Sequence, residues 1–199
     1  MISIRNFSLI STLFFIVSIS PFCQGIVINE LDAITTEGPQ FIEFYGSPNQ
    51  DLNGYSLAMI KSVWHPGNIY TVEVYDAVSL DSLSLDSEGF LSIEHELNPT
   101  VAAVAIYESD ISALVVGDAP PSDDIVDAIV YGDTSPTHPQ AQIILEAIMP
   151  DGSGLLFEGT EGSQTGHSLS RLPDGGNAFD LSSYAIQAPS MGITNVLSC

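Results

Sequence analysis

Gly166-His167-Ser168-Leu169-Ser170 is the stretch of this chain that comes nearest to a catalytic motif. The nucleophile elbow of α/β hydrolases, Gly-x-Ser-x-Gly, uses a sharp strand-to-helix turn to expose its serine. Here Ser170 stands where the second glycine belongs, and no histidine follows Ser168 to serve as base. The stretch therefore reads as the start of a strand. Metal chemistry fares no better. His65, His95, His138 and His167 lack zinc-ligand spacing, and no cysteine lies among them. His65 and His138 each precede a proline, which favours loops. Asp86-Ser87-Glu88-Gly89 imitates part of an EF-hand loop. Counted from Ser84, however, the bidentate acid would fall on His95, and no helix pair flanks the loop. It predicts a turn before a strand. Asp118, Asp123 and Asp124 offer oxygen ligands for weak calcium binding; the alternative is a solvated acidic loop. No cofactor is otherwise implied.

Charge narrows the partners. The chain has 199 residues, with 25 acids against three cations, Arg5, Lys61 and Arg171, for a formal charge of −22. Such a surface repels nucleic acid and anionic membranes and attracts basic partners and cations. With 45% hydrophobic residues, the chain is too apolar for a disordered polyanion and large enough for a core.

The N-terminus reads as a secretory signal, residues 1–25. Arg5 gives the positive start, Phe7 to Ile19 is apolar and uncharged, and Pro21 breaks the run. That run is short for a membrane span, which needs about 20 residues. A retained signal anchor is the alternative. Cleavage after Gly25 fits a small-x-small pattern; cleavage after Ser20 also fits but leaves Pro21 next to the cut. Ser20-Pro-Phe-Cys23 is a poor lipid-attachment signal. With Gly25 as the cut, Cys199 is a lone thiol that can link two copies; with Ser20, Cys23 and Cys199 could staple the ends. These features predict a secreted, extracellular protein.

The elements that position the side chains are short and β-rich. Ile26 to Leu31, Phe41 to Tyr45, Tyr55 to Ile60, Phe90 to Ile93, Ala102 to Tyr107 and Ile125 to Tyr131 are separated by glycine, proline and Asn53-Gly54 turn signals. Tyr70, Val72 and Val74 alternate with polar residues, as in a half-buried strand. Shorter runs sit at Leu155 to Phe157, Ser168 to Leu172 and Tyr184 to Ile186. Many short strands at this spacing predict an all-β sandwich or barrel, which we read as two antiparallel layers that bury a shared interior. Pro139 to Met149 predicts one short helix, with a proline in its first turn and Pro150 as its stop. Residues 26–199 read as one domain, with Asp118 to Asp124 a loop within it.

The order of the motifs adds a resemblance. Val27-Ile28-Asn29-Glu30-Leu31 is followed by Phe41-Ile42-Glu43-Phe44-Tyr45, Leu52-Asn53-Gly54-Tyr55 and Ala103-Val104-Ala105-Ile106-Tyr107. Val126 to Gly132 comes next, then Ser168-Leu169-Ser170-Arg171-Leu172-Pro173-Asp174-Gly175, then Gly192-Ile193-Thr194-Asn195. In this order the chain resembles lamin-tail-like domains of secreted proteins, across essentially all of residues 26–199. Met191 departs from the pattern, standing where the family has a proline. The resemblance implies an immunoglobulin-like β-sandwich that binds or tethers a partner and does not catalyse.

Nine residues follow as structural candidates: Asn29, Glu30, Glu43, Gly54, Asp127, Gly132, Arg171, Gly192 and Asn195. Gly54 can take the positive φ of a tight turn. Asp127 is an acid inside an apolar run, which calls for a partner. Arg171 is the only cation in the second half of the chain, and Asp127, Glu30 and Glu43 are its candidate partners. The functional alternative, Arg171 gripping an anionic ligand, is weakened by the acids around it. The function implied is a secreted, acidic, non-enzymatic module for an extracellular protein or glycan. The alternative is an acidic structural protein of an extracellular matrix, calcified or not, with weak, diffuse calcium binding.

Overall fold

A computed structural model describes residues 25–34, 38–67, 69–132, 139–149, 154–158 and 166–195. Residues 1–24 of the expected signal segment, Cys23 among them, lie outside these residues, as do His138 and Cys199. Among the described residues, ten strands and one α-helix follow in the order β1 (Val27–Asp32), β2 (Phe41–Tyr45), β3 (Ser56–His65), β4 (Ile69–Ser79), β5 (Phe90–Glu94), β6 (Ala102–Tyr107), β7 (Ile125–Gly132), α1 (Pro139–Ile148), β8 (Leu156–Phe157), β9 (Ser168–Arg171) and β10 (Tyr184–Gln187). They form two five-stranded sheets, β10-β9-β1-β2-β5 and β4-β3-β6-β7-β8. The result is mostly β and sandwich-like, with one short helix.

Period-two alternation sorts the side chains. Ile42 and Phe44 of the first sheet meet Leu57, Met59, Val104, Ile106, Ile129 and Tyr131 of the second in a shared interior, and all are fully buried. The second sheet is apolar on both faces. Its other face presents Ala58, Ala103, Ala105 and Ala128 with Ile60 and Val130, and α1 packs there through Ala141, Ile144 and Ile148. Small side chains at the sheet centre leave room for the helix, so the sandwich carries a third, partial layer.

Two details differ from the sequence reading. β7 and β8 pair in parallel, through Tyr131↔Leu156 and Gly132↔Phe157, so the second layer is not wholly antiparallel. The connection through α1 makes this pairing sterically accessible. β3 also runs five residues past Ile60. Lys61 still pairs with Ala102 of β6, but Ser62 to His65 pair with β4 alone, so the β3–β4 hairpin projects beyond the sheet as an arm.

Candidate functional site: buried clasps and an exposed arm

β1 lies against β7 across the sandwich, and a polar clasp joins the sheets near each end of this pair. The first clasp depends on an irregularity. The β1–β2 register shifts between Ile28 and Glu30, which frees the Ile28 peptide from its ladder. Asp127, on β7, fills the gap. Its Oδ2 accepts from Ile28 N at 2.9 Å and from Arg171 Nη2 at 2.9 Å, and its Oδ1 accepts from Phe179 N at 2.7 Å. Arg171 Nε donates to Ile28 O at 2.7 Å, and Nη1 donates to Asn177 O at 2.8 Å. The guanidinium lies 4.7 Å from the centre of the Tyr184 ring. Asp127 and Arg171 are both fully buried. Burial pushes the Asp127 carboxyl up from its ordinary value, opposed by Arg171 and the backbone donors. Its oxygens are occupied by donors, and a proton there would leave a buried guanidinium uncompensated; we read the pair as ionised. Of the three candidate partners for Arg171, the structure selects Asp127.

The second clasp has no cation. Glu158, just after β8, accepts from Ala33 N through both oxygens at 3.1 Å and from Ile34 N at 3.3 Å. Its carboxyl also meets that of Asp32 at the end of β1, and both residues are buried. Burial, with Asp32 beside it, pushes Glu158 up to about 8. Burial is also the largest cause of the rise of Asp32 to about 6, with Glu30 adding to it and the bond from Glu158 opposing it. Raised together and in contact, the two carboxyls form what we read as a pair that holds one proton between them near neutral pH. Asp32 Oδ1 has no hydrogen-bond partner among the described residues.

Five of the remaining candidates, Asn29, Glu30, Glu43, Gly192 and Asn195, converge on the outer face of the first sheet, and Gly54 and Gly132 lie elsewhere. Asn29 Nδ2 donates to Glu43 Oε1 at 3.0 Å and to Asp174 Oδ1 at 2.9 Å, while its Oδ1 accepts from Gly175 N at 2.9 Å. Glu43 Oε2 accepts from Ser92 Oγ at 2.9 Å and from Gly192 N at 2.5 Å. Gly192 sits at φ 74°, a turn conformation that a Cβ disfavours. Burial raises the Glu43 pKa against these bonds. Glu30 accepts from Ser168 Oγ at 2.5 Å and from Ser190 N and Oγ at 2.9 and 2.7 Å. Asn195 N donates to Asp174, and Asn195 Oδ1 accepts from Gln187 Nε2 at 3.1 Å. The C-terminal segment thus seals two buried glutamates with hydroxyl and amide donors. Gly54 turns at φ 83°, its N–H donating to Asp81 at 2.8 Å. Gly132 ends β7, where an added Cβ would come within 3.2 Å of Val101 Cγ2.

Ser168 is fully buried and bonded to Glu30, so its hydroxyl faces no solvent. His65 is exposed and bonds Thr71 at 2.8 Å; His95 contacts Asp76 at 3.1 Å. Asp86 closes the turn before β5 by accepting from Glu88 N and Phe90 N. Among the described residues, no group of three or more His, Cys, Asp or Glu is placed to hold a metal ion, and no helix is long and apolar enough to cross a membrane.

Sequence reading missed two features. The Asp32–Glu158 pair left only a faint signal, an acid closing the apolar run Leu155-Leu156-Phe157. The arm is the second. Trp64, the only tryptophan, is 54% exposed, and Ile69 is 58% exposed at the same tip. The arm's signal in the sequence was a tryptophan set among Lys61, Ser62 and His65 where an apolar strand run gives out. Comparison with known protein families, characterised proteins and solved structures finds no match.

Proposed function

We propose that this chain is an acidic, non-enzymatic binding module of lamin-tail type, an immunoglobulin-like sandwich that works outside the cell on an extracellular protein or glycan. The observation that carries this reading is the β3–β4 arm, which keeps Trp64 and Ile69 in water on a two-stranded projection. Exposed aromatic side chains on a preformed scaffold are energetic anchors of interfaces. The lamin-tail reading draws support from the convergence of Asn29, Glu43, Asp174, Gly175, Gly192 and Asn195, distant in sequence, into one network. The groups with chemical potential are spent internally: Ser168 on Glu30, Arg171 on Asp127. The secreted address rests on Arg5 and the apolar run after it.

The test is comparative affinity capture from native extracellular material, using the wild type and Trp64→Ser/Ile69→Ser. A protein or glycan retained by the first and lost by the second supports the reading. Equal retention removes the arm as the binding surface, and turnover of a captured glycan or ester would remove the non-enzymatic reading.

A further inference from the structure

An open cleft of about 870 Å³ lies where the last turn of α1 meets the start of β7 and the loop carrying Phe179. Its lining is mixed: Ile125, Ile148, Met149 and Phe179 supply the large apolar side chains. Its rim carries the exposed Asp123, Asp124 and Glu146. The last turn of α1 holds no basic residue, so its terminal carbonyls add partial negative charge to the same opening. Lys61 pairs with Glu73 on the arm and Arg171 is buried against Asp127, so among the described residues no cation answers these charges.

We infer that this cleft seats a peptide segment of a second protein in which an aliphatic or aromatic side chain is flanked by lysine or arginine. The inference rests on the binding-module reading and supplies the partner's chemistry. Ile125, Met149 and Phe179 offer one apolar side chain a contact worth roughly 25 cal/mol per Å² buried. The rim and the helix end select cationic flanks and reject acidic ones. The formal charge of −22 steers a basic partner inward and repels a second copy of this chain. The cleft is also prebuilt. Asp127 Oδ1 holds Phe179 N at 2.7 Å, with Phe179 at φ 60°, so the buried ion pair fixes one wall before any ligand arrives. Such preorganisation lowers the ordering cost of binding.

Fluorescence anisotropy on the whole protein tests this. The probe is a labelled peptide of leucine pairs flanked by lysine pairs; its controls carry glutamate for lysine or serine for leucine. The lysine–leucine peptide binds, the glutamate version does not, and the serine version binds at least tenfold more weakly. Asp123→Asn/Asp124→Asn/Glu146→Gln weakens binding about tenfold, whereas Glu94→Gln/Glu96→Gln, distant acids, changes it less than twofold. Met149→Arg abolishes binding with an unchanged melting temperature. Equal loss in both neutralised variants would mean diffuse attraction by the whole surface and overturn the site. So would no binding, no preference for leucine over serine, or reversible oligomers abolished by Met149→Arg. Each of these leaves the arm untouched, because the Trp64 and Ile69 variants probe it separately.

Discussion

The two clasps that join the sheets do the same mechanical task with opposite electrostatics. At the start of β1, a carboxylate from the second sheet meets a guanidinium from the first, and both bind the Ile28 peptide. At the end of β1, a carboxyl from the second sheet caps Ala33 N and Ile34 N, with another carboxyl beside it in place of a cation. A buried charge is tolerable when it is paired and bonded, and otherwise it takes up a proton. The first clasp is therefore a fixed fastening. The second holds only while a proton is shared, which makes it sensitive to pH. With five buried acids and one buried cation among the described residues, only one of these acids has the guanidinium.

The harshest way to break the comparison is to remove that cation. Arg171→Ala leaves Asp127 buried and unpaired and strips donors from Ile28 O and Asn177 O. The expected loss is about 3–5 kcal/mol by urea denaturation. The loop carrying Phe179 should loosen as well, seen as faster amide exchange at Phe179. A loss below about 1 kcal/mol would show that the pair does not fasten the sheets.

The second clasp should respond to pH and not to salt. Asp32 and Glu158 are raised from 3.8 and 4.5 to about 6 and about 8. The folded state therefore holds protons that the unfolded chain has released. The contribution is fully present below the unfolded values and is lost as pH rises through 6 to 8. Glu158→Gln replaces the shared proton with an amide N–H that can donate to Asp32. The variant should match the wild type near pH 5 and exceed it by about 2 kcal/mol near pH 9. Parallel pH–stability curves for the two proteins would refute the shared proton.

The first clasp was legible in the sequence and the second was not, for a physical reason. Asp127 interrupts Ile125 to Tyr131, and an acid inside an apolar strand demands a partner; Arg171 was one of few cations able to supply it. Asp32 and Glu158 each close an apolar run, where an acid reads equally well as a turn, and only the tertiary fold brings them together. The strands were readable from alternation and turn residues, and α1 from its flanking prolines. The β3 extension was not, because Ser62 to His65 are held by pairing with β4 alone and not by burial on a sheet face. The parallel β7–β8 pairing leaves no local trace either, since a two-residue strand has no period. The cleft depends on Phe179 meeting α1, a contact set by the Asp127 bond to Phe179 N.

A milder perturbation separates structure from chemistry at Ser168. Its hydroxyl donates to Glu30 Oε1, which keeps Ser190 N as a second donor in Ser168→Ala. The expected loss is about 1–3 kcal/mol, the range for leaving a buried polar group short of a partner. Any esterase activity of the preparation should be unchanged. Loss of a robust activity with the fold intact would mean that the serine reacts, and the non-enzymatic reading would fall.

The smallest effect tests the matrix alternative. The formal charge of −22 destabilises any compact state through self-repulsion, so added cations should raise the melting temperature. If they act by screening, millimolar calcium and sodium at equal ionic strength give the same small rise, because the Debye length depends on ionic strength alone. A calcium-specific increment would require a site that binds the folded state preferentially. Among the described residues no three-ligand group offers one, and the buried glutamates already accept from hydroxyls and amides. Equal shifts keep the acidic surface as a field that selects cationic partners. A calcium excess of several degrees would move the functional weight from the arm and cleft to the acids themselves.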